Sequence, residues 1–422
     1  MAFYRRDPPS RASRQDRPRS ARVRHAGRYG ASVSVRRVHQ TNGGGVRLVA
    51  RHALRVDRQL SQLSLDRRQP LRPPDLEYDP FLRGRFPVGV RTIRAFDAER
   101  NRVFPCEVWY PASAAYAGQD LSPATQDVFT IGSTPRTQQA IRDATAHPGT
   151  YPLIIFSHAS GHHRRGATFL CTHLSSHGYV VAALDHFEVA AALGPREGET
   201  EAQRTVRVEA VIANRVPDIR FLLDYLFTTN AWHSDAVLDS ARIGIVGHSF
   251  GGWTALAAPD VERRIQAIVA LAPAGSSRRK PGILPVTLGF RWGGDVPALY
   301  LVAENDVWLP LAGMYELFER TPATKQLIIL RRADHVHFMD DVEEVHETVR
   351  TMPPLTTELA WLPKEMRPIA ELCSGEQAHV FARGLTLCHM DSVLRRQEQA
   401  RRFLADDVEA ELAKRGIAVM VA

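Results

Sequence analysis

The 422-residue chain has 44% hydrophobic and 24% charged residues, proportions that are ordinary for a globular protein. Its length allows one large α/β domain with additional elements, or two domains. The net charge of +8 suggests nucleic-acid binding, but residues 1–74 carry 18 arginines against four aspartates, whereas the remainder carries 36 basic and 42 acidic side chains. The folded body is therefore acidic, and we do not expect it to bind nucleic acid.

The Arg-rich segment 1–74 has no apolar periodicity and few large hydrophobic residues, so we predict a disordered tail. Two interpretations remain open: an electrostatic arm for nucleic acid or acidic lipid, or an extension read from a start codon assigned too far upstream. No apolar stretch typical of a secretory signal follows these charges, and no run of 18 apolar residues occurs. The four cysteines form no Cys-x-x-Cys pair. We therefore predict a cytoplasmic protein without a membrane span, a zinc site or a disulfide framework.

The predicted folded domain, residues 75–422, opens with two strands joined by a turn at Asp97–Asn101. Apolar residues alternate on both sides of this turn, which indicates an antiparallel pair. Short apolar runs then alternate with helical segments, a pattern typical of a parallel sheet covered on both faces. The runs read as buried strands are 151–158, 179–186, 242–249, 265–273, 297–306 and 325–335. The sequence therefore predicts an α/β fold with a mostly parallel central sheet and antiparallel N-terminal strands.

Helices are predicted between these strands and at the C-terminal end. The segment 167–178 is expected to end at Gly178, and the segment 207–227 to kink or restart at Pro217. A further helix covers 313–321. The proline-interrupted stretch 342–390 is interpreted as a pocket-forming insert. Residues 390–417 are interpreted as one amphipathic C-terminal helix closed by Gly416.

The pentapeptide Gly247-His248-Ser249-Phe250-Gly251 stands directly between a predicted buried strand and a predicted helix. A serine on so tight a strand-to-helix turn is held clear of the sheet, and the flanking glycines avoid steric collisions. The alternative is a glycine-rich turn that happens to contain a serine. The order of strand, serine and helix favours a nucleophile elbow with Ser249 as the nucleophile.

A catalytic serine needs a base, and the base needs an acid that holds its tautomer. Asp306 ends the second strand after the elbow and His335 ends the third, in the chain order known for α/β-hydrolases. Asp306 as a helix cap and His335 as a surface-loop histidine are the alternatives. His337 competes with His335 for the role of base. We predict His335, because it is nearer the strand end, and expect His337 to line the rim.

An oxyanion hole requires two backbone N–H donors. We predict the amide of Phe250, the residue after the nucleophile, and the amide of Ser160 in the loop "SHASGHHRR". The remaining substrate-binding candidates are His158, Ala159, His248, Trp308 and His337. Residues 162–165 of the same loop either attract an anionic substrate or form a solvated basic loop.

From about Phe86 to Leu404 the chain resembles the α/β-hydrolases grouped with platelet-activating factor acetylhydrolase, dienelactone hydrolase and cutinase-like polyester hydrolases. The resemblance rests on "FPVGVRTI", "RNRVFPCEVWYPA", "YPLIIFSHASG", "LSSHGYVVAALDH", "RIGIVGHSFGGWTALA" and "DHVHF". It implies the α/β-hydrolase fold, with Ser249 as the nucleophile, His335 as the base, and the Phe250 and Ser160 amides as the oxyanion hole.

The chain departs from this group at three positions. Ala272 stands where the acetylhydrolases carry their acid, which favours the cutinase-like position of Asp306. Ala159 replaces the glycine usual in the oxyanion loop. The nucleophile Ser249 replaces the cysteine of dienelactone hydrolase, so lactone specificity is not implied.

The resemblance and the residues together predict a serine hydrolase that cleaves small-molecule carboxylic esters through an acyl-enzyme, without a cofactor or a metal. A peptidase or an acyltransferase on the same fold remains open, as does an inactive hydrolase-like binding protein with a basic nucleic-acid-binding arm. The sequence carries no signal for the oligomeric state.

Overall fold

A computed structural model describes residues 78–186, 196–229, 232, 235–354 and 356–422. The predicted tail, residues 1–74, lies outside these described residues. Among the described residues, no helix combines the length and the apolar character that a bilayer crossing requires.

The core of the fold is a mixed sheet to which ten strands of the described chain contribute. Its order is β12-β11-β10-β9-β8-β6-β7-β2-β1-β5, and a separate hairpin pairs β3 with β4. The six strands β6 to β11 are mutually parallel. Strand β2 pairs with β7, and β12 pairs with β11, in the antiparallel sense. The strands are β1 (Val88–Asp97), β2 (Arg102–Pro111), β3 (Asp127–Ile131), β4 (Thr134–Gln138), β5 (Ile141–Arg142), β6 (Gly149–Ser157), β7 (Val180–Leu184), β8 (Ala236–His248), β9 (Ile265–Leu271), β10 (Ala298–Ala303), β11 (Lys325–Leu330) and β12 (Val419–Val421).

Helices cover both faces of this sheet, because the central strands are apolar on both sides. Along β6, Leu153 and Ile155 pack into one core, and Ile154 and Phe156 pack into the other. This alternation follows from the period of two residues in a strand. The helices are α1 (Thr168–Ser176), α2 (Glu201–Thr228), α3 (Phe250–Ala257), α4 (Leu311–Arg320), α5 (Val342–Thr351), α6 (Leu362–Glu365), α7 (Gly375–Leu394), α8 (Glu398–Ala405) and α9 (Val408–Ala413).

The architecture confirms the predicted fold class, and the six predicted central strands are present as β6 to β11. Helix α1 is followed by Gly178 with a φ of 86°, the left-handed conformation expected just beyond a helix end. Helix α2 continues through Pro217, so the predicted restart does not occur there, and the predicted kink stays a prediction. A proline removes one backbone donor, and the apolar face on both sides of Pro217 still packs against the sheet.

The C-terminal region corrects one prediction. The expected single helix over 390–417 is three helices, α7, α8 and α9, and the chain turns between the first two at Arg396 with a φ of 53°. The predicted pocket-forming insert over 342–390 includes α5, α6 and most of α7, and α7 is a core helix. Its side chains are largely buried, and a Cβ at Gly244 of β8 would lie 2.6 Å from Sδ of Met390. A helix that is apolar on most sides gives no amphipathic signal in the sequence.

Candidate active site

Ser249 occupies a strained turn between β8 and α3, with φ 58° and ψ −116°. Its surroundings explain both glycines of the pentapeptide. A Cβ at Gly247 would lie 2.0 Å from the carbonyl oxygen of Gly251, and a Cβ at Gly251 would lie 1.9 Å from the carbonyl oxygen of Ser157. Only glycine fits at either position without moving the backbone. The local geometry is therefore that of a nucleophile elbow.

The structure brings together three side chains that the sequence placed at separate strand ends. Nε2 of His335 lies 2.8 Å from Oγ of Ser249, and Nδ1 of His335 lies 2.7 Å from Oδ2 of Asp306. Oδ1 of Asp306 accepts the backbone N–H of Leu309 at 2.8 Å, which fixes the carboxylate. Asp306 accepts the Nδ1–H of His335, so Nε2 is left to accept the hydroxyl proton of Ser249. Both Asp306 and His335 are buried.

The turn that carries His335 is held from two sides. It is a short 3₁₀ helix, His335–Phe338, in which Phe338 is fully buried. Nε2 of His248 donates to the carbonyl oxygen of His335 at 3.0 Å, and the Trp308 ring stacks on the His335 ring at 5.8 Å between centroids. Burial, reinforced by the nearby His335 and His162, holds the pKa of His248 well below its usual range. His248, predicted as a substrate-binding residue, is thus a neutral donor that fixes the backbone of His335.

The loop after β6 lies against the start of α3. The carbonyl oxygens of Ser157 and His158 lie 1.9 and 2.8 Å from a Cβ built on Gly251. The amide of Phe250 is in the first turn of α3, where the helix provides no carbonyl partner. The predicted donors, Phe250 and Ser160, therefore belong to two segments in direct contact. Ser160 is half-buried, whereas Ala159 is buried.

His158, which was predicted to bind substrate, makes two hydrogen bonds inside the fold. It is buried, its Nδ1 donates to the carbonyl oxygen of Ala159 at 2.7 Å, and its Nε2 accepts the backbone N–H of His186 at 3.1 Å. Its ring therefore links the loop after β6 to the end of β7. Burial, then the charge of Arg215, keeps the pKa of His158 well below its usual range. The imidazole consequently stays neutral and acts as a structural link.

A buried polar network supports this loop, and the sequence analysis missed it. Arg215 donates to the carbonyl oxygen of His158 at 2.7 Å and to Oγ of Ser157 at 3.2 Å. The Ser157 hydroxyl lies 3.0 Å from Nε2 of His186, and Nδ1 of His186 lies 3.0 Å from Oδ2 of Asp218. These four side chains are almost completely buried. Arg215 and Asp218 interrupt the apolar stripe of α2, and this is the signal by which they could have been found.

The network also orients the loop amides. The guanidinium of Arg215 faces the carbonyl oxygens of His158, at 2.7 Å, and of Ala159, at 3.5 Å. In a trans peptide the carbonyl and the N–H of the next residue point in opposite directions. The N–H groups of Ala159 and Ser160 therefore point away from Arg215.

His337 is not at the rim of the site, contrary to the sequence prediction. It is fully buried, its Nδ1 lies 3.2 Å from Oδ1 of Asp334, and its Nε2 donates to the carbonyl oxygen of Cys373 at 3.1 Å. In the 3₁₀ turn the two histidines point in different directions, so that His335 reaches Ser249 while His337 faces Asp334. A register of two residues on a short turn cannot be resolved by counting along the sequence.

The positive charge of residues 162–165, in the loop after β6, is largely neutralised by neighbouring carboxylates. Arg164 pairs with Asp185 at 2.5 Å and with Glu107 at 3.2 Å, and Arg165 pairs with Glu107 at 2.9 Å. Burial, with smaller contributions from His163 and His335, lowers the pKa of His162 to about 3. The loop therefore offers less positive charge to an anionic substrate than its sequence suggests.

In comparisons with known proteins, one family model and two curated relatives with the same name match parts of this chain. The sequence model of the family "Platelet-activating factor acetylhydrolase, isoform II" matches residues 96–215. A platelet-activating factor acetylhydrolase of Gallus gallus is 26% identical over 227 residues, which are 42% of this chain and 53% of that protein. The same-named protein of Cavia porcellus is 28% identical over 155 residues, which are 29% of this chain and 35% of that protein. The matched stretches thus span about half and about a third of the relatives.

Among solved structures, a ferulic acid esterase from Streptomyces cinnamoneus superposes with a TM-score of 0.51 at 24% sequence identity, covering 74% of this chain and 92% of that one. At this identity the likeness establishes the fold. The family match ends at residue 215, before the elbow, so the arrangement around Ser249 rests on the geometry described above.

Proposed function

We propose that this chain, which is similar in sequence to acetylhydrolases and in fold to an esterase, hydrolyses carboxylic esters with Ser249 as the nucleophile, His335 as the general base and Asp306 as the orienting acid. The observation that carries the proposal is the continuous chain of contacts from Oγ of Ser249 through both ring nitrogens of His335 to Asp306. The names of the relatives, acetylhydrolases and a ferulic acid esterase, agree with an ester substrate.

In the first half-reaction Oγ of Ser249 attacks the ester carbonyl carbon while Nε2 of His335 takes the hydroxyl proton. The carbonyl oxygen becomes negatively charged and accepts hydrogen bonds from the amides of Phe250 and Ser160. The N-terminus of α3 adds a favourable dipole at this oxygen. When the tetrahedral intermediate collapses, the bond to the leaving alcohol breaks, His335 returns its proton to that alcohol, and an acyl-Ser249 ester remains.

In the second half-reaction a water molecule attacks the acyl carbon, and His335 takes a proton from it. Collapse of this second intermediate releases the carboxylic acid and returns the proton to Oγ of Ser249. Asp306 remains ionised throughout, because its role is to hold the Nδ1–H tautomer and to stabilise the imidazolium.

The test is the substitution Ser249→Ala, with Ser392→Ala as a matched control. Ser392 is buried, and its hydroxyl donates to the carbonyl oxygen of His389 within α7. We expect Ser249→Ala to lower kcat for p-nitrophenyl acetate by up to about 10⁶-fold, by analogy with other catalytic serines, and Ser392→Ala to retain kcat. Retention of more than about a tenth of the activity by the Ser249 variant would remove this residue from the mechanism.

A fluorophosphonate probe separates the enzyme from an inactive hydrolase-like binding protein, because only an activated serine reacts with it. We expect labelling of the wild-type chain and of the Ser392→Ala variant, and none of Ser249→Ala. A panel of p-nitrophenyl esters of increasing acyl length, together with a methyl ferulate and a peptide p-nitroanilide, then defines the substrate class. Faster cleavage of the anilide than of every ester would favour a peptidase.

A further inference from the structure

A second cluster of titratable side chains lies beside the turn that carries His335. It consists of Asp334 and His337 from this turn and His346 from α5, and all three are at least nine-tenths buried. Each residue offers one atom that could bind a metal ion, and these three atoms lie within 4.8 Å of one another. Oδ1 of Asp334 is 3.2 Å from Nδ1 of His337, and Oδ2 is 3.0 Å from Nδ1 of His346. The proposed chemistry at Ser249 uses none of these atoms.

The outer nitrogens of both histidines are already bonded. Nε2 of His337 donates to the carbonyl oxygen of Cys373 at 3.1 Å, and Nε2 of His346 donates to the carbonyl oxygen of Arg367 at 2.8 Å. A neutral imidazole with its proton on Nε2 has a lone pair on Nδ1. The backbone N–H of Asp334 also points at Nδ1 of His337, at 3.1 Å, and must turn aside when Nδ1 binds a metal. Metal-binding histidines show this arrangement, with one nitrogen on the metal and the other donating to a carbonyl.

The inner atoms of the cluster are therefore three acceptors that face one another. Oδ2 of Asp334 and Nδ1 of His346 are buried, and neither has a further hydrogen-bond partner among the described residues. Buried acceptors in contact require a positive charge between them. Protons can supply it: burial opposes protonation of His337, but hydrogen bonds to Asp334 and Cys373 outweigh burial and raise its pKa to about 9. Protonation would place a second proton on each imidazole ring. A metal cation satisfies the same acceptors while both rings stay neutral.

We propose that Asp334, His337 and His346 bind one divalent transition-metal ion, with zinc as the best-fitting species. With Zn–N and Zn–O bonds of about 2.0 Å, the edges of a tetrahedral site are about 3.3 Å long. The two carboxylate oxygens of Asp334 approach the two rings at comparable distances, Oδ1 at 3.2 Å from Nδ1 of His337 and Oδ2 at 3.0 Å from Nδ1 of His346, and one of these oxygens would be the ligand. Two imidazole nitrogens and one carboxylate favour zinc over calcium or magnesium, which prefer oxygen ligands. The fourth position is left for water.

Such an ion would join the turn after β11 to α5, because two of its ligands flank His335 and the third lies on the helix. Its role is structural, since Ser249, His335 and Asp306 complete the proposed ester chemistry without it. The inference therefore stands or falls independently of the proposed function. Zinc binding can be measured on the full chain even if no ester is cleaved.

The test measures zinc content and stability in the full-length protein after chelation, incubation with zinc chloride and extensive dialysis. His346→Gln removes one ligand that lies on α5 and leaves the residues of the His335–Phe338 turn unchanged. His389→Gln is the matched control, because His389 is also buried and donates Nε2 to a backbone carbonyl, that of Pro297 at 3.2 Å. Its ring lies outside the cluster of Asp334.

We expect about one tightly held zinc per chain in the wild type and in His389→Gln, and less than about a tenth of that in His346→Gln. Added zinc should raise the Tm of the first two proteins and leave that of the third unchanged. Absence of zinc retention and of a Tm increase in the wild type would overturn the proposal and leave protons as the occupant. Full zinc content in His346→Gln would equally overturn it, by assigning the metal to other residues.

Discussion

Replacing Gly251 with alanine is expected to separate the start of α3 from the loop after β6. The new Cβ would lie 1.9 Å from the carbonyl oxygen of Ser157, so the two segments must move apart by about 1.5 Å to reach the 3.4 Å of an ordinary contact. The contacted oxygen belongs to the backbone, so no side chain can rotate away to relieve the clash. We expect this overpacking to lower the free energy of unfolding by about 1–3 kcal/mol.

The same displacement separates the two proposed oxyanion donors, because Phe250 lies on one segment and Ser160 on the other. Donors must lie about 2.7–3.1 Å from the developing oxyanion, and loss of one donor costs about 10²–10³ in kcat. We therefore expect kcat for p-nitrophenyl acetate to fall about 100-fold or more. The KM should change much less, since the interaction is made in the transition state.

Gly294→Ala is the matched control, because Gly294 is exposed and a Cβ there would meet nothing within 4 Å. Steady-state kinetics and guanidinium unfolding of both variants provide the measurements. Suppose that Gly251→Ala retains kcat within about twofold of the control and unfolds at the same denaturant concentration. The two segments then do not approach each other as closely as the structure indicates.

Three further substitutions test the surroundings of the serine. His335→Gln should reduce ester hydrolysis to the level of Ser249→Ala and abolish the acid limb of the pH–rate profile, and retention of that limb would assign the base elsewhere. Asp306→Asn should lower kcat by about 10⁴-fold with an unchanged unfolding curve, because the wrong tautomer of His335 is then favoured; an effect on stability alone would argue for a structural role. His337→Gln should lower the free energy of unfolding by about 1–3 kcal/mol and leave kcat of the folded enzyme within about tenfold, because buried hydrogen bonds are lost. The opposite outcome for His337, a large loss of kcat with normal stability, would contradict its position facing Asp334.

The position of the acid shows how the sheet organises the candidate site. Ser249, Asp306 and His335 follow β8, β10 and β11, which are parallel strands of one sheet. Carboxyl ends of parallel strands lie at the same edge, so these residues converge although they are separated by up to 86 positions. Ala272 follows β9 between them and carries no acid, and Asp306 on the next strand reaches His335 instead.

The sequence alone determined the fold class and the conformation around Ser249. Buried strands and elbow turns are local signals: runs of apolar residues identify β6 to β11, and the two glycines of the pentapeptide fit only a turn without side chains. The chain order of serine, acid and histidine likewise follows from strand ends. The catalytic roles of these residues, and the tail over 1–74, stay predictions.

The tertiary structure decided which polar side chains face one another. The choice between His335 and His337, the support of the loop by Arg215 and the cluster around Asp334 depend on contacts between segments that are distant in the sequence. Nothing in a single strand or helix encodes that His346 of α5 meets Asp334, or that Arg215 of α2 reaches the carbonyl of His158. A buried polar group requires a partner, but the sequence does not specify which one, because that partner is set by the packing of helices on the sheet.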